Sequence, residues 1–273
     1  MVLALDIGAT NIRIAEVSGI KIKNKKIIPN PKKKEKALST IISLITEYKK
    51  QPIGIGIASF MKFGIPVFTP NWDFSNVDVK SLLEKKFKVP VYIENDANCA
   101  ALGEHHFGYG KGKSNFFLFT LGTGIGGGTV INNKLYSGHR GTATEPGHMI
   151  INGKHLEQLA SGPASVQLAK SKDLKVKDTF ELQALAKKGN KTALAVYSEV
   201  GRHIGVGMLN VAYILDPEII LLGGGFANVP YIYSSAKKAL WEGDWANRKI
   251  PVMQAKLKDD AGLIGAGLLP RKE

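Results

Sequence analysis

The segment Leu3-Ala4-Leu5-Asp6-Ile7-Gly8-Ala9-Thr10-Asn11 returns in altered form as Phe119-Thr120-Leu121-Gly122-Thr123-Gly124-Ile125-Gly126. In each copy an apolar strand runs into a turn of Gly and Thr, and a second apolar strand follows. Glycine lets the backbone come close to a ligand, and successive backbone N–H groups in such a turn form a concave anion site. A chain that carries this unit twice is constrained to two related halves, whose turns would grip one polyphosphate from opposite sides. The pattern points to phosphoryl transfer.

Around these turns the pattern alternates between strand and helix. Residues 2–7, 12–18 and 21–28 read as strands, with turns at Gly19 and at Asn24-Lys25. A helix over 33–50 places Leu38, Ile41, Ile42 and Ile45 on one face. Ile53–Ala58 reads as a buried strand, followed by a Pro- and Asn-rich loop and a helix over 78–87. Residues 89–93 form a strand, and a helix starts at Asn95. The second half repeats the order, with strands at 116–121, 127–132 and 134–137 and helices at 156–170, 178–188 and 191–214. A buried strand at 218–222, a helix at 231–242, a strand at 251–257 and a helix at 262–269 close the chain. Strands alternating with helices predict a mixed α/β protein with helices on both faces of its sheets. The natural break is the flexible, basic stretch Gly108–Lys113.

Composition removes several classes. One cysteine, Cys99, rules out a disulfide framework and a Cys-based zinc site, and fits a reducing compartment. The start runs straight into a strand and reads as lacking a secretory leader, and no apolar run approaches the ~20 residues that span a bilayer. The formal charge is +14, with eight lysines among residues 21–36. Without aromatic stacking residues that stretch reads as a solvated hairpin and helix start rather than a nucleic-acid or membrane patch. The excess charge would still attract anionic nucleotides.

Five motifs carry chemistry. Asp6-x-Gly8-x-Thr10 can hold a hydrated Mg²⁺ while backbone N–H groups face phosphate oxygens, or can be a plain hairpin in which Asp6 caps the turn. Gly122–Gly128 contains a formal G-x-G-x-x-G, but a dinucleotide site needs a following helix, and here strand, turn and strand follow. A Walker loop at Gly112-Lys113-Ser114 lacks the glycine required at position 107. Glu94-Asn95-Asp96-Ala97-Asn98 lies at the mouth of a strand, where α/β sites collect. Asp96 can take a proton from a hydroxyl, kept ionised by the positive end of the helix; alternatively Asn95 or Asp96 is simply an N-cap. Glu145-Pro146-Gly147-His148, with His155, Glu157 and Ser161-Gly162, suits a polyhydroxy ligand, because each carboxylate accepts from two hydroxyls. Gly223-Gly224-Gly225 after a buried strand lets a base or ribose lie against bare backbone, or is a helix-entry turn.

Together these blocks, with Pro70-Asn71-Trp72, resemble the ROK family of sugar kinases and repressors, within the actin/hexokinase-like superfamily, over nearly the whole chain. The resemblance implies a two-lobed actin-like, ribonuclease H-like α/β fold, each lobe a mixed sheet with flanking helices. Residues 1–110, joined by the closing helix at 262–273, would be the small lobe and 111–261 the large one. It implies ATP- and Mg²⁺-dependent phosphorylation of the 6-hydroxyl of an aldohexose, glucose first, with N-acetylmannosamine, N-acetylglucosamine and fructose as alternative acceptors. By position Asp96 matches the general base. Asn71, Asn95, Asp96, Glu145, His148 and Glu157 match sugar contacts. Asp6, Gly8, Thr10 and Asn11 match the first phosphate motif, with Asp6 on Mg²⁺ through water. Gly122, Thr123 and Gly124 match the second, and Gly224 and Gly225 the adenosine motif. A cytoplasmic homodimer with no nucleic-acid partner is also implied.

The sequence departs from the family at one place. Relatives carry a Cys-x-Cys-Gly-x-x-Gly-Cys zinc loop before the position of Glu157, and their counterpart of His148 is a zinc ligand. Here the interval is Met149–Leu156, short and free of cysteine. No structural zinc is expected, and His148 must be oriented by hydrogen bonds. The family's repressors carry an N-terminal helix-turn-helix; with the first motif already at Asp6, that reading is set aside.

Overall fold

The alternating N-terminal segment becomes a meander of antiparallel strands β1 (Val2–Ile7), β2 (Asn11–Ser18) and β3 (Lys21–Pro29). The computed structural model describes residues 1–69 and 73–271. Asn24-Lys25 does not turn the chain. It forms a bulge within β3, where pairing steps from Ile14↔Lys26 to Glu16↔Lys23, and Asn24 takes a left-handed φ of 51°. Its side chain donates to Glu16 at 2.7 Å, which offsets part of the disrupted ladder.

Helix α1 (Lys34–Thr46) stops short of residue 50 because its apolar stripe ends at Ile45; Tyr48 instead donates its hydroxyl to the Asn24 carbonyl. Strand β4 (Ile53–Ile57) follows, then a hairpin, β5 (Phe60–Lys62) and β6 (Ile65–Phe68), where the sequence reads only as loop. Strands of three and four residues are too short to show a period, and the turn signal is Phe63-Gly64, both left-handed. Helix α2 (Val79–Phe87) is capped by Asp78, which accepts from the Ser81 N–H. Strand β7 (Val91–Asn95) begins after Pro90, and helix α3 (Asp96–Phe107) follows it directly.

Strands β8 (Phe116–Leu121), β9 (Ile125–Ile131) and β10 (Lys134–Tyr136) come next, β9 and β10 joined through left-handed Asn132 and Asn133. A small hairpin, β11 (Ile150–Ile151) and β12 (Lys154–His155), leads into α4 (Leu156–Ala160). The single helix expected over 156–170 is broken at Ser161. That residue is extended (ψ 171°), and its hydroxyl caps α5 (Gly162–Ser171) by accepting from Ala164 N–H. Helices α6 (Thr179–Lys187) and α7 (Lys191–Leu215), strand β13 (Ile219–Gly223), helix α8 (Ile232–Gly243), strand β14 (Val252–Gln254) and helix α9 (Ala261–Ala266) complete the chain.

Among the described residues there are two five-stranded mixed sheets, ordered β3-β2-β1-β4-β7 and β10-β9-β8-β13-β14. This is the mixed α/β class that the alternation predicts. By contacts the chain divides into two units, Met1–Gly112 with Gly128–Thr144 and Asp259–Glu273, and Lys113–Gly127 with Glu145–Lys258. In the first unit β1, β4 and β7 are parallel, so their carboxyl ends share one edge. Helix α9 packs there at backbone distance: a Cβ on Gly265 would lie 1.7 Å from the Cys99 carbonyl oxygen on α3. In the second unit β8, β13 and β14 are parallel over a core that includes Phe119, Tyr197, Ile204 and Leu222. No helix among the described residues is long and apolar enough to cross a membrane.

Candidate functional site

In the first unit the ends of β1 and β7 bring two carboxylates to the same edge. Asp6 pairs in register with Gly56 on β4, and Gly56 with Glu94 on β7. Asp96 follows two residues later, at the first position of α3. Gly56 packs against the start of α3, where a Cβ would meet the Asp96 Cα at 3.4 Å and the Cys99 Sγ at 3.2 Å. Asp6 is buried and accepts from Arg13, its partner across the ladder, at 2.8 Å. Burial raises its carboxyl above the usual range, against the pull of Arg13. The turn beyond it closes with Gly8 N–H donating to Asn11 carbonyl at 2.9 Å. Asn30 braces this turn from outside, its side chain donating to the Gly8 carbonyl and its N–H to the Thr10 carbonyl. The Lys32 ammonium donates to the Ala9 carbonyl, so one lysine of the basic stretch buttresses the phosphate-type turn, which charge counting does not reveal.

The competing readings of Glu94–Asn98 separate cleanly. Asn95 is the cap: its side-chain oxygen accepts from Ala97 and Asn98 N–H at 2.8 and 3.1 Å, and its amide donates to the Ser59 carbonyl at 3.0 Å. Such a cap is worth about 1 kcal/mol. Glu94 is turned back on the same helix start, accepting from Asn95 N–H and the Asn98 amide. The capping role is therefore filled without Asp96, whose carboxylate accepts from the adjacent Ala97 N–H, at 2.9 Å, and from its own backbone N–H. One expectation needs correction. Asp96 is not held in the ordinary ionised range by the helix end: burial, and next the nearby Asp6 carboxylate, push its carboxyl up to about 7. Desolvation outweighs the helix dipole, whose effect is at most about 2 kcal/mol even in partly buried geometry.

In the second unit the turns after β8 and β13 stand side by side, because Gly223 pairs with Thr120. Gly224 sits at φ 83°, ψ 164°, a region open essentially to glycine alone. A Cβ there would lie 2.4 Å from the Leu121 carbonyl oxygen, so this glycine turn rests directly on the strand that feeds Gly122–Gly124. That second turn is closed by Gly122 N–H to Gly124 carbonyl at 3.0 Å, and tied to α5 by Gly162 N–H to Gly122 carbonyl at 2.9 Å.

The carboxylate-rich segment converges on the same turn. Glu157, on the first turn of α4, places its Oε2 2.8 Å from where a Cβ on Gly124 would be. Glu145 precedes a short 3-10 turn, Pro146–His148, and Gly147 packs so closely that its Cβ would be 2.2 Å from the Ile125 carbonyl oxygen. Glu145, His148 and Glu157 are all half-buried. Thr123, on the Gly122–Gly124 turn, is exposed. Asn71, the remaining sugar-contact candidate, lies outside the described residues. Among those residues no group of three or more His, Cys, Asp or Glu is placed to hold a metal ion.

The ROK family profile matches residues 2–273. A glucokinase of Streptomyces coelicolor is 32% identical, over 100% of this chain and 98% of its own. The xylose repressor of Bacillus subtilis is 35% identical over a shorter stretch, 69% of this chain and 53% of its own. Among solved structures, a ROK family glucokinase from Streptomyces griseus in complex with glucose and AMPPNP superposes with a TM-score of 0.89 at 30% identity, covering 100% of this chain and 99% of that one. The ROK hexokinase of Thermus thermophilus gives 0.85 at 30% identity, covering 98% and 97%. With a full-length profile match and full-length relatives above 30% identity, the chain belongs to the ROK family.

Proposed function

We propose that the chain is an ATP-dependent hexose kinase that phosphorylates the 6-hydroxyl of an aldohexose, with glucose as the preferred acceptor. The observation that carries this reading is the convergence at Gly124. There a carboxylate suited to sugar hydroxyls, Glu157, overhangs a glycine turn suited to phosphate oxygens. The S. griseus relative, matched over its full length, holds glucose and AMPPNP.

The roles follow from the chemistry of each group. Glu145, His148 and Glu157 fix the sugar by accepting and donating hydrogen bonds to its hydroxyls, and Asn71 joins them by its place in the family motif. The turn at Gly122–Gly124 offers the phosphates the backbone beyond its own closing bond, Gly224-Gly225 gives the nucleoside a flat seat, and Gly8–Asn11 is a phosphate turn by its place in the family motif. Asp96 takes the proton of the attacking hydroxyl, and a base with a pKa near the working pH suits that task. Phosphoryl transfer asks mainly for alignment and charge stabilisation. Asp6 fits a hydrated Mg²⁺: one oxygen is engaged by Arg13, and the other has no partner among the described residues. When bound, the ion would neutralise charge on the phosphates.

A coupled assay of a dozen sugars with ATP tests the reading. The highest kcat/KM belongs to glucose; equal or greater activity on N-acetylmannosamine, N-acetylglucosamine or fructose would reassign the acceptor, and none on any sugar would end the proposal. A cytoplasmic homodimer is part of the same proposal, and sedimentation velocity checks the assembly. A salt-dependent DNA gel shift separates it from a xylose-repressor-like role, for which sequence-specific binding would be the signature.

A further inference from the structure

We propose that His155 is the positioning residue that orients His148 toward the sugar, taking the place that a bound metal holds elsewhere in the family. The inference rests on the reading of His148 as a sugar contact.

The chain must travel from His148 to Glu157 in nine steps and arrive with both side chains aimed at one ligand. It does so through the hairpin of β11 and β12. Asn152 and Gly153 have φ of 50° and 75°, the left-handed pair of a two-residue turn, and they set the pairing Ile150↔His155. That register lays the His155 ring against His148, edge-on, with centroids 5.4 Å apart and planes at 81°. His155 Nδ1 lies 3.1 Å from the His148 carbonyl oxygen. A carbonyl only accepts, so in this contact Nδ1–H is the donor. The contact therefore grips both the backbone and the ring of His148.

His155 is itself held at both ends. Its own N–H donates to the Gln158 side chain on α4 at 3.1 Å, and the next residue, Leu156, donates its N–H to the Met149 carbonyl at 2.9 Å. Two cross-links thus join the His148 segment to the start of α4, and Glu157 is the next residue along. A clamp made of an Asn-Gly turn, two backbone carbonyls and one imidazole needs no metal ion to set the spacing of His148 and Glu157.

The test uses the full-length enzyme and three substitutions at one position. His155→Ala removes bond and ring. His155→Asn keeps a donor, because its amide nitrogen can reach the place of Nδ1. His155→Phe keeps the ring edge without the donor. If His155 positions a sugar contact, His155→Ala raises the glucose KM several-fold, to about tenfold, the scale expected for one hydrogen bond. It leaves kcat within about twofold, because the interaction is uniform between ground and transition states. The ATP KM and the melting temperature serve as controls for general damage. His155→Asn restores most of the glucose affinity, and His155→Phe does not. Wild-type glucose KM in His155→Ala overturns the inference, and so does rescue by Phe but not by Asn. Loss of glucose affinity in the wild-type enzyme after chelation by EDTA, restored by zinc, also overturns it. His148→Ala separates the two levels. If it leaves the glucose KM unchanged, the reading of His148 falls. If it raises the KM while the His155 variants do not, only the clamp falls.

Discussion

The raised carboxyl of Asp96 makes the pH profile of this enzyme a direct probe of the mechanism. A general base works only in its ionised form. With a pKa of about 7, about a tenth of Asp96 is ionised at pH 6 and about nine-tenths at pH 8. kcat/KM for glucose, measured with ATP held below its KM so that the unliganded enzyme is reported, therefore rises about tenfold between those values. An ordinary aspartate, with a pKa of about 3.9, would be fully ionised throughout and give a flat line. The second cause of the shift is the Asp6 carboxylate, so Asp6→Asn, whatever it does to the maximum rate, moves the acid limb of its residual activity to lower pH. Asp96→Asn lowers turnover by 10²–10⁴-fold, the usual scale of general-base assistance, and leaves glucose binding largely intact. Stability has its own sign. A carboxyl whose folded pKa is raised binds its proton more tightly when folded, so its contribution is fully present below the unfolded value of 3.8 and is lost as pH rises through about 7. Asp96→Asn, which cannot ionise, should thus melt higher than wild type at pH 8 and gain little at pH 4. A flat rate profile from pH 6 to 8, or Asp96→Asn retaining more than about a tenth of the activity, would refute the reasoning.

Other substitutions test other parts of the site. Gly224→Ala forces a side chain into a glycine-only conformation and against the Leu121 carbonyl; the ATP KM should rise at least tenfold, about 1.4 kcal/mol, while glucose binding followed by intrinsic fluorescence persists. Gly124→Ala pushes the Glu157 carboxylate aside, whereas Gly122→Ala meets nothing within 4 Å. Both variants should fold, with the glucose KM raised several-fold only in Gly124→Ala. Gly265→Ala drives α9 off the Cys99 carbonyl and is expected to cost about 3 kcal/mol, roughly 6–12 °C in Tm, by calorimetry. An unchanged Tm would mean that α9 does not pack against the Cys99 carbonyl of α3.

Much of this was legible because the candidate site residues sit where strands end. Asp6, Gly122 and Gly223 close apolar runs whose length and period mark them as strands, and parallel pairing then aligns the strand ends within each sheet. Glycine by itself does not distinguish a ligand turn from a helix entry. What decides at Gly224 is the approach of Leu121, a neighbour far away in sequence. The elements that escaped notice are local and short. The β5–β6 and β11–β12 hairpins are shorter than the window in which a period can be seen, though Phe63-Gly64 and Asn152-Gly153 carry the turn signal. The break at Ser161 was readable as well, since Ser161-Gly162-Pro163 is an N-cap followed by a proline in the first helical turn.

The misjudgement at Asp96 has a different origin. A helix start and a carboxylate are both visible in the sequence, and together they argue for an ionised group. Burial and the second carboxylate are properties of the folded sheet, where the register Asp6↔Gly56↔Glu94 sets Asp6 and Asp96 at one edge with a side-chain-free residue between them. The larger effect comes from the part of the environment that only three paired strands create. A motif therefore singled out the candidate base, but its proton affinity belongs to the sheet.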